Sequence, residues 1–443
     1  MNKRVLFTFL SALMLIGGTF FAIRYAKGNR PTTSGPFRET GLLVVNSFPT
    51  AAQVYINGKL TTATDTTLNL DPGTYDVEIM KDGYTTWRKS LIVEKELVTQ
   101  TNAVLFATAL NLSPITYTGA ENFSPSPDGQ KLIFFTASAS AEQKKGLYIV
   151  DLTDTRLASS RTPRQISGLS SSMDFSQASF LWSPDSSEVI ATEGNREVQL
   201  DLTRLNTVDE LPDVSFTLRQ TLSTWEEEMY LREREILAKF PLEMIHLATQ
   251  SAVNVYFSPD QEKMMYTATA TATIPDQLIP PLPAISNQPQ SREVLPGNIY
   301  IYDRKEDTNF LIGSVDLLSL SVKKSLLATD LASPAKTLIT DQEFFTRLQA
   351  STSALTARQF RTYHSPLYAG QFQWYPNSRH LIKLNFNTIS MVEYDSTNEV
   401  TVYTGPFDPT FVYPWSTGEK LLISTSFTAS PSAAKNLYVI ELQ

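Results

Sequence analysis

The sequence predicts a mainly β protein: an N-terminal transmembrane helix, a small β-sandwich, and then an irregular β-propeller of five to seven blades with helical insertions. Three observations predict it. One uncharged apolar run of 19 residues, Val5–Ile23, lies near the start. Short alternating strands separated by tight turns fill residues 41–93. A nine-residue pattern then recurs five times, starting at Pro125, Trp182, Phe257, Trp374 and Trp415.

The bulk composition bounds the function classes. The chain has 443 residues, a net charge of −8 and no cysteine. That length supports two or three domains with ample core. The lack of cysteine removes disulfides, thiolate metal sites and cysteine nucleophiles together. Basic residues form no stripe, so no nucleic-acid partner is expected.

The N-terminal run is flanked by Lys3 and Arg4 on one side and by Arg24, Lys27 and Arg30 on the other. At ~1.5 Å per residue, 19 residues reach ~28 Å, close to the thickness of a bilayer core. A cleaved signal peptide would have a shorter apolar core and a small-residue cleavage site. Neither is present, so residues 1–27 are expected to be an uncleaved anchor with its flanks, followed by a linker over 28–39. The flanking charges balance, so they do not orient the helix.

Strand patterning begins at Gly41. "GLLVVNSFP" is an apolar run ending at Pro49, and "AQVYINGK" alternates before turning at Asn57-Gly58, the strongest short hairpin signal. Leu68 and Leu70 alternate, and Asp71-Pro72-Gly73 turns. Tyr75, Val77 and Ile79 alternate again before Asp82-Gly83, and Trp87, Leu91 and Val93 follow. Together they predict a small antiparallel sandwich. Its Val54-Tyr55-Ile56-Asn57-Gly58 strand, Asp71-Pro72-Gly73-Thr74-Tyr75, Lys81-Asp82-Gly83-Tyr84 and Trp87-Arg88-Lys89 resemble the PEGA domain. The naming tetrapeptide is Pro49-Thr50-Ala51-Ala52 here, so its middle is lost. The resemblance spans about residues 40–107, within a sandwich domain expected over 40–108. It implies a sandwich fold without catalytic residues, on the outer side of a cell membrane, and so places the chain after the anchor outside.

The recurring nine residues are "PSPDGQKLI", "WSPDSSEVI", "FSPDQEKMM", "WYPNSRHLI" and "WSTGEKLLI". Pro fixes φ for a tight turn, Asp or Asn bonds the local backbone, and an apolar strand follows. Downstream stand matching strands: Gly146–Leu152, Arg196–Leu202, Gly297–Asp303, Ser390–Asp395 and Asn436–Leu442. The leads are 57, 75, 117 and 41 residues apart, and the shortest spacing is close to one four-stranded blade. A blade cannot bury both faces alone and stacks on its neighbours. Trp182, Phe257, Trp374 and Trp415 are therefore expected in the packing between blades, the alternative being a ligand platform. The pattern resembles the repeat of TolB-type, WD-like propellers, with Ser124–Thr136 its nearest copy. That resemblance covers residues 109–443 and implies a fold more than a ligand.

Two insertions account for the long spacings. In the first, about residues 205–250, Leu218, Leu222, Trp225, Met229, Ile236 and Phe240 recur at helical intervals. They predict an amphipathic helix over Thr217–Pro241, lying on the propeller or docking a partner. The second, about residues 311–368, shows no repeat. It holds a possible strand at Ser314–Val322, a short helix at Asp341–Ser351 and room for one degenerate blade. Thr271–Gly297 reads as an exposed Pro-rich loop within a blade.

The chemistry-bearing residues are sparse. His246, His364 and His380 do not fall at metal-ligand spacing, and no nucleophile elbow, phosphate loop or zinc-protease motif occurs. Asp128, Asp185 and Asp260 recur as turn residues, and Glu226-Glu227-Glu228 reads as a solvated helix face. No catalytic residue, cofactor or metal is expected. The function expected is non-enzymatic binding or scaffolding at the cell surface. The ligand expected is an envelope protein or a wall polysaccharide. The alternatives are a propeller hydrolase acting on envelope peptide or glycan, and the ectodomain of a sensor complex.

Overall fold

A computed structural model describes residues 3–26, 30–32, 35–38, 40–153, 162–170, 172–207, 210–280, 288–315, 371–427 and 434–442. The chain divides into two compact units: residues 1–109 with 281–288, and the remainder.

The first unit opens with helix α1, Lys3–Ala26. Its described apolar side chains, among them Phe7, Leu13 and Ile16, are exposed. Among the described residues no helix is long and apolar enough to cross a membrane. The transmembrane span expected at Val5–Ile23 is therefore not found. The expected linker carries a short hairpin, Arg30–Thr32 with Gly35–Arg38.

The sandwich then follows. One sheet joins Lys59–Ala63, Gln53–Ile56, Gly73–Met80 and Trp87–Val93, and the other joins Val98–Gln100, Gly41–Val45 and Thr66–Leu70. Leu43, Val45, Val54, Val77, Ile79 and Trp87 fill the space between them. Asn57 (φ 50°) and Gly58 (φ 76°) make the left-handed hairpin turn their sequence predicts. The expectation of a purely antiparallel sandwich needs correction. Val98–Gln100 pairs with Gly41–Val45 in parallel, and Ala103–Val104 pairs with Ser47–Phe48 in parallel. The chain can make these pairings only after crossing the whole domain.

The second unit contains five antiparallel meander sheets among its described residues. The first sheet is Glu121–Pro125, Lys131–Thr136, Gly146–Asp151 and Arg164–Ser167. The second is three-stranded: Ser179–Trp182, Val189–Glu193 and Arg196–Leu200. The third is Ala252–Phe257, Lys263–Ala268, Asn298–Asp303 and Thr308–Ser314. The fourth is Phe372–Trp374, His380–Leu384, Thr388–Glu393 and Val400–Thr404. The fifth is Val412–Pro414, Lys420–Thr425 and Asn436–Glu441, completed by Asn111–Pro114 from the start of the unit.

Shared cores give the order in which the sheets pack. Ile133 and Leu147 of the first meet Phe180 and Trp182 of the second. Met265 and Ile301 of the third meet Trp374 and Leu381 of the fourth. Trp415 and Leu422 of the fifth meet Leu132 and Phe134 of the first. The turn of the fifth, at Gly418, lies against Tyr375 of the fourth. Between the second and third stand two helices, α2 (Ser215–Leu237) and α3 (Leu242–Gln250). Leu218, Leu222 and Trp225 of α2 pack on Leu181 and Ile190 of the second sheet. Tyr230 and Leu237 of α2, with Met244 and Leu247 of α3, pack on Met264 and Tyr266 of the third.

The helical insertion packs on the sheets, as the first of its two expected placements has it, and it occupies a seam between the second and third. Two expectations change here. The helix expected to end at Pro241 ends at Leu237, and Pro241 instead precedes α3, where its missing N–H costs nothing. The insertion expected from 311 begins later, because Thr308–Ser314 is the fourth strand of the third sheet. The third and fourth sheets share a core, and the residues expected to leave room for a degenerate blade lie outside the described residues from 316 to 370. The remainder of the expected strand at Ser314–Val322 and the helix at Asp341–Ser351 lie outside the described residues.

Candidate interaction surface

The two ends of the five sheets differ in chemistry. At one end each first hairpin turns through the recurring motif. The backbone N–H of Ser126, Ser183, Ser258, Tyr375 and Trp415 donates to the carbonyl five residues on, at 2.8–3.0 Å. These bonds fix the register of the repeat. Trp415 occupies the place of Tyr375 and Ser126, one residue from its expected alignment with Trp374. The lead in the fifth sheet is Pro414.

At this turn end many polar groups bond one another. The Ser126, Ser183 and Ser258 hydroxyls donate to the Asp128, Asp185 and Asp260 carboxylates. Hydrogen bonds from Ser183 and then Ser187 hold the Asp185 carboxyl down at about 2. The turns also bond each other: Asp128 N–H donates to Ser186 Oγ at 3.1 Å, and Asp260 N–H to Ser378 Oγ at 2.9 Å. Neighbouring turns therefore lie on the same side of the unit. Where the helices intervene, Arg232 donates to Pro184 O at 2.9 Å and Lys239 to Gln261 Oε1 at 2.9 Å.

Next to the turns, a basic residue faces an acidic one across the central strands: Lys131 and Asp151, Lys263 and Asp303, His380 and Glu393, Lys420 and Glu441. The sequence reading missed this repeat because the partners are distant in the chain. Lys263 is buried, 3.5 Å from both Asp260 and Asp303, with Tyr394 5.0 Å below its ammonium. His380 takes the lysine position in the fourth sheet. His246 is exposed on α3, so these two histidines are apart, and His364 lies outside the described residues. Among the described residues no group of three or more acidic or histidine side chains is placed to hold a metal ion.

The repeat aromatics pack internally. Trp182 donates to Ser124 Oγ at 3.1 Å and Trp374 to Tyr256 O at 3.3 Å, both buried at seams. Phe257 packs against the helices and the third sheet, and Trp415 is 0% exposed. The acidic run on α2 divides. Glu228 pairs with Arg232 at 2.6 Å in solvent, but Glu226 is only 7% exposed, against the expectation of a solvated face. Burial pushes its carboxyl up to about 7.

The opposite end carries the second hairpins and the links between sheets. The Pro-rich loop rises here from the third sheet. Its base is the short ladder Ala272–Thr273 with Glu293–Val294, with Ile274 and Val294 buried, so only part of it meets the expectation of an exposed loop. Its limbs run back along the third sheet to the Asp303–Thr308 turn at the other end, where Asp307 holds both, accepting from Arg292 Nη1 at 3.0 Å and Leu278 N–H at 2.8 Å. Large apolar side chains stand out at the end with the second hairpins: Tyr117 (79% exposed), Phe386 (88%) and Phe427 (54%), with Leu169 and Leu295 half in water. Phe386 was not singled out by sequence, because nothing local distinguishes an exposed hairpin tip from a strand residue.

These features define a mainly β protein with a sandwich domain and a unit of five packed sheets. Residues 40–108 are a PEGA domain. Solved structures similar to the chain include a putative TolB from Agrobacterium tumefaciens (12% identity, 75% of this chain and 87% of that one, TM-score 0.21). TolB from Acinetobacter baumannii is also similar (9% identity, 83% and 61%, TM-score 0.20). So is the PQQ domain of pyranose dehydrogenase from Coprinopsis cinerea (10% identity, 76% and 96%, TM-score 0.29). At these scores the likeness carries no argument, and the description of the sheets rests on their own pairing. No curated protein matches the chain.

Proposed function

We propose that this is a non-enzymatic binding or scaffolding protein of the cell envelope. Its five sheets act as propeller blades, with the α2–α3 hairpin filling one place in the ring. The observation that carries the reading is the contrast between the two ends: polar groups at the turn end bond each other, while aromatic side chains at the hairpin end are left in water. We read these rings together as an interaction surface, the role that a contiguous apolar patch has on a protein surface. The PEGA domain supports an extracytoplasmic location. The 19 uncharged residues Val5–Ile23 support α1 as a membrane anchor retained in the mature chain.

Two experiments test this. Surface labelling of intact cells should reach lysines of the PEGA domain, and the mature N-terminus, read by mass spectrometry, should precede Val5. A start near Ala26 or protection of those lysines removes the location. Assay of the purified full chain against peptide and glycoside substrates should give no turnover. Turnover abolished by a point mutation would replace binding with hydrolysis.

A further inference from the structure

We infer that the hairpin ends of the fourth and fifth sheets form a docking shelf for an uncharged glycan. The inference rests on the binding reading above and names its site and ligand class. Phe386 stands at the tip between His380–Leu384 and Thr388–Glu393. The link to the fifth sheet runs beside it, with Gly405 N–H donating to Asn387 O at 3.0 Å. That link is bonded to the fifth sheet in turn: Thr425 Oγ1 donates to Pro406 O at 2.6 Å, and Asp408 N–H to Ser424 O at 2.8 Å. Phe427 follows two residues after Thr425, edge-on to Tyr438 with centroids 5.1 Å apart. Tyr117 belongs to the adjacent connection, whose Gly119 N–H and Thr116 hydroxyl both donate to Asn436 Oδ1, at 2.9 and 3.2 Å. The three exposed rings thus follow one another along continuously bonded backbone.

The chemistry around them is largely neutral: Lys383, on the strand leading to the Phe386 tip, pairs with Glu399 at 2.9 Å, and Glu121, four residues beyond Tyr117, adds an exposed carboxylate. Phe386 is flanked by the amides of Asn385 and Asn387. The charged side chains tied into the run, Lys435 and Asp408, neutralise each other at 2.6 Å. A pyranose ring presents a C–H face that covers an aromatic plane and a rim of hydroxyls that exchange bonds with amides and hydroxyls. Neither interaction needs a charge. Protein-binding hot spots, by contrast, combine aromatics with arginine, and this run contains none. A net charge of −8 also disfavours an anionic polymer.

The test uses the full chain in detergent, with chitohexaose as the uncharged probe and oligogalacturonate as an anionic one, followed by calorimetry. Chitohexaose should bind, with an affinity insensitive to added salt. Phe386→Ala and Tyr117→Ala should each weaken it by about tenfold or more. Phe216→Ala, equally exposed at the start of α2, should leave it unchanged. All three positions are on the surface, so unchanged melts will confirm intact folds. Absence of chitohexaose binding, preference for oligogalacturonate, or unchanged affinity in both shelf variants overturns the inference. If the shelf variants instead lose a cross-linked polypeptide while chitohexaose does not bind, the glycan is wrong and the binding reading stands. Substrate turnover would remove the binding reading itself.

Discussion

Two seams in the second unit solve one packing problem with different materials. Between the third and fourth sheets the contact is direct. Trp374 fills the seam, and a serine hydroxyl on one turn accepts from the next turn's backbone N–H. Between the second and third sheets α2 and α3 stand instead, with one face of α2 on each sheet. The turn-to-turn bond is replaced by Arg232 and Lys239, which reach the turns on either side. What the seam requires is apolar volume and satisfied turn groups, and either a strand face or a helix can provide both.

The largest effect should come from replacing Ser215–Gln250 with a short linker. Both flanking sheets would lose their cover, so the protein should aggregate or melt in stages by size-exclusion and thermal scan. A monodisperse product with an unchanged melt would show that the helices are dispensable. At the direct seam, Trp374→Ala should cost about 3–5 kcal/mol in denaturant unfolding. A variant as stable as the parent would move Trp374 out of the core.

Glu226 separates the seams by pH. Its folded pKa is raised to about 7 from 4.5 because burial disfavours the charged form. The folded state therefore holds the proton more tightly. Stability falls as pH rises from about 4.5 through 7, by about 3 kcal/mol in all. Glu226→Gln should match the parent near pH 4.5, exceed it at pH 8 by about that amount, and lose the slope. A parent whose unfolding free energy is flat across that window would mean that Glu226 reaches water. The smallest effect belongs to Ser378→Ala, which removes one hydroxyl acceptor at the direct seam and should cost about 1 kcal/mol.

The turns and the strands after them were legible in the sequence because their determinants are local. Pro stands directly before Asp or Asn in four of the five turns, and strands alternate. The fifth turn shows the limit. Without Pro-Asp, its Trp415 was aligned by ring rather than by backbone, and the Trp415 N–H to Lys420 O bond sets it one place later. A proline ends helices and also begins them, so a sequence that places Pro241 at the end of one helix does not reveal α3 beyond it. Glu226 was misread because a helix packed on two sides has only a narrow wet stripe, and sequence spacing does not say how many neighbours a helix has. The parallel pairings of the sandwich, the acid–base pairs across the central strands and the aromatic shelf depend on residues far apart in the chain. Only the fold brings them together.

The strand Asn111–Pro114 sits in the fifth sheet beside Asn436–Glu441, with Asn111 Nδ2 bonding Glu441 Oε2 across 330 positions. A ribosome releases the first of these strands long before the second exists. Throughout that interval the nascent unit has an open edge at each end, and Asn436–Glu441 is the strand that joins them. Closure of so long a loop is slow and comes last. Until then the exposed edges invite pairing with other chains. A chain cut short before Asn436 would leave Asn111–Pro114 unpaired and Lys420–Thr425 bonded on one side only, by Val412–Pro414.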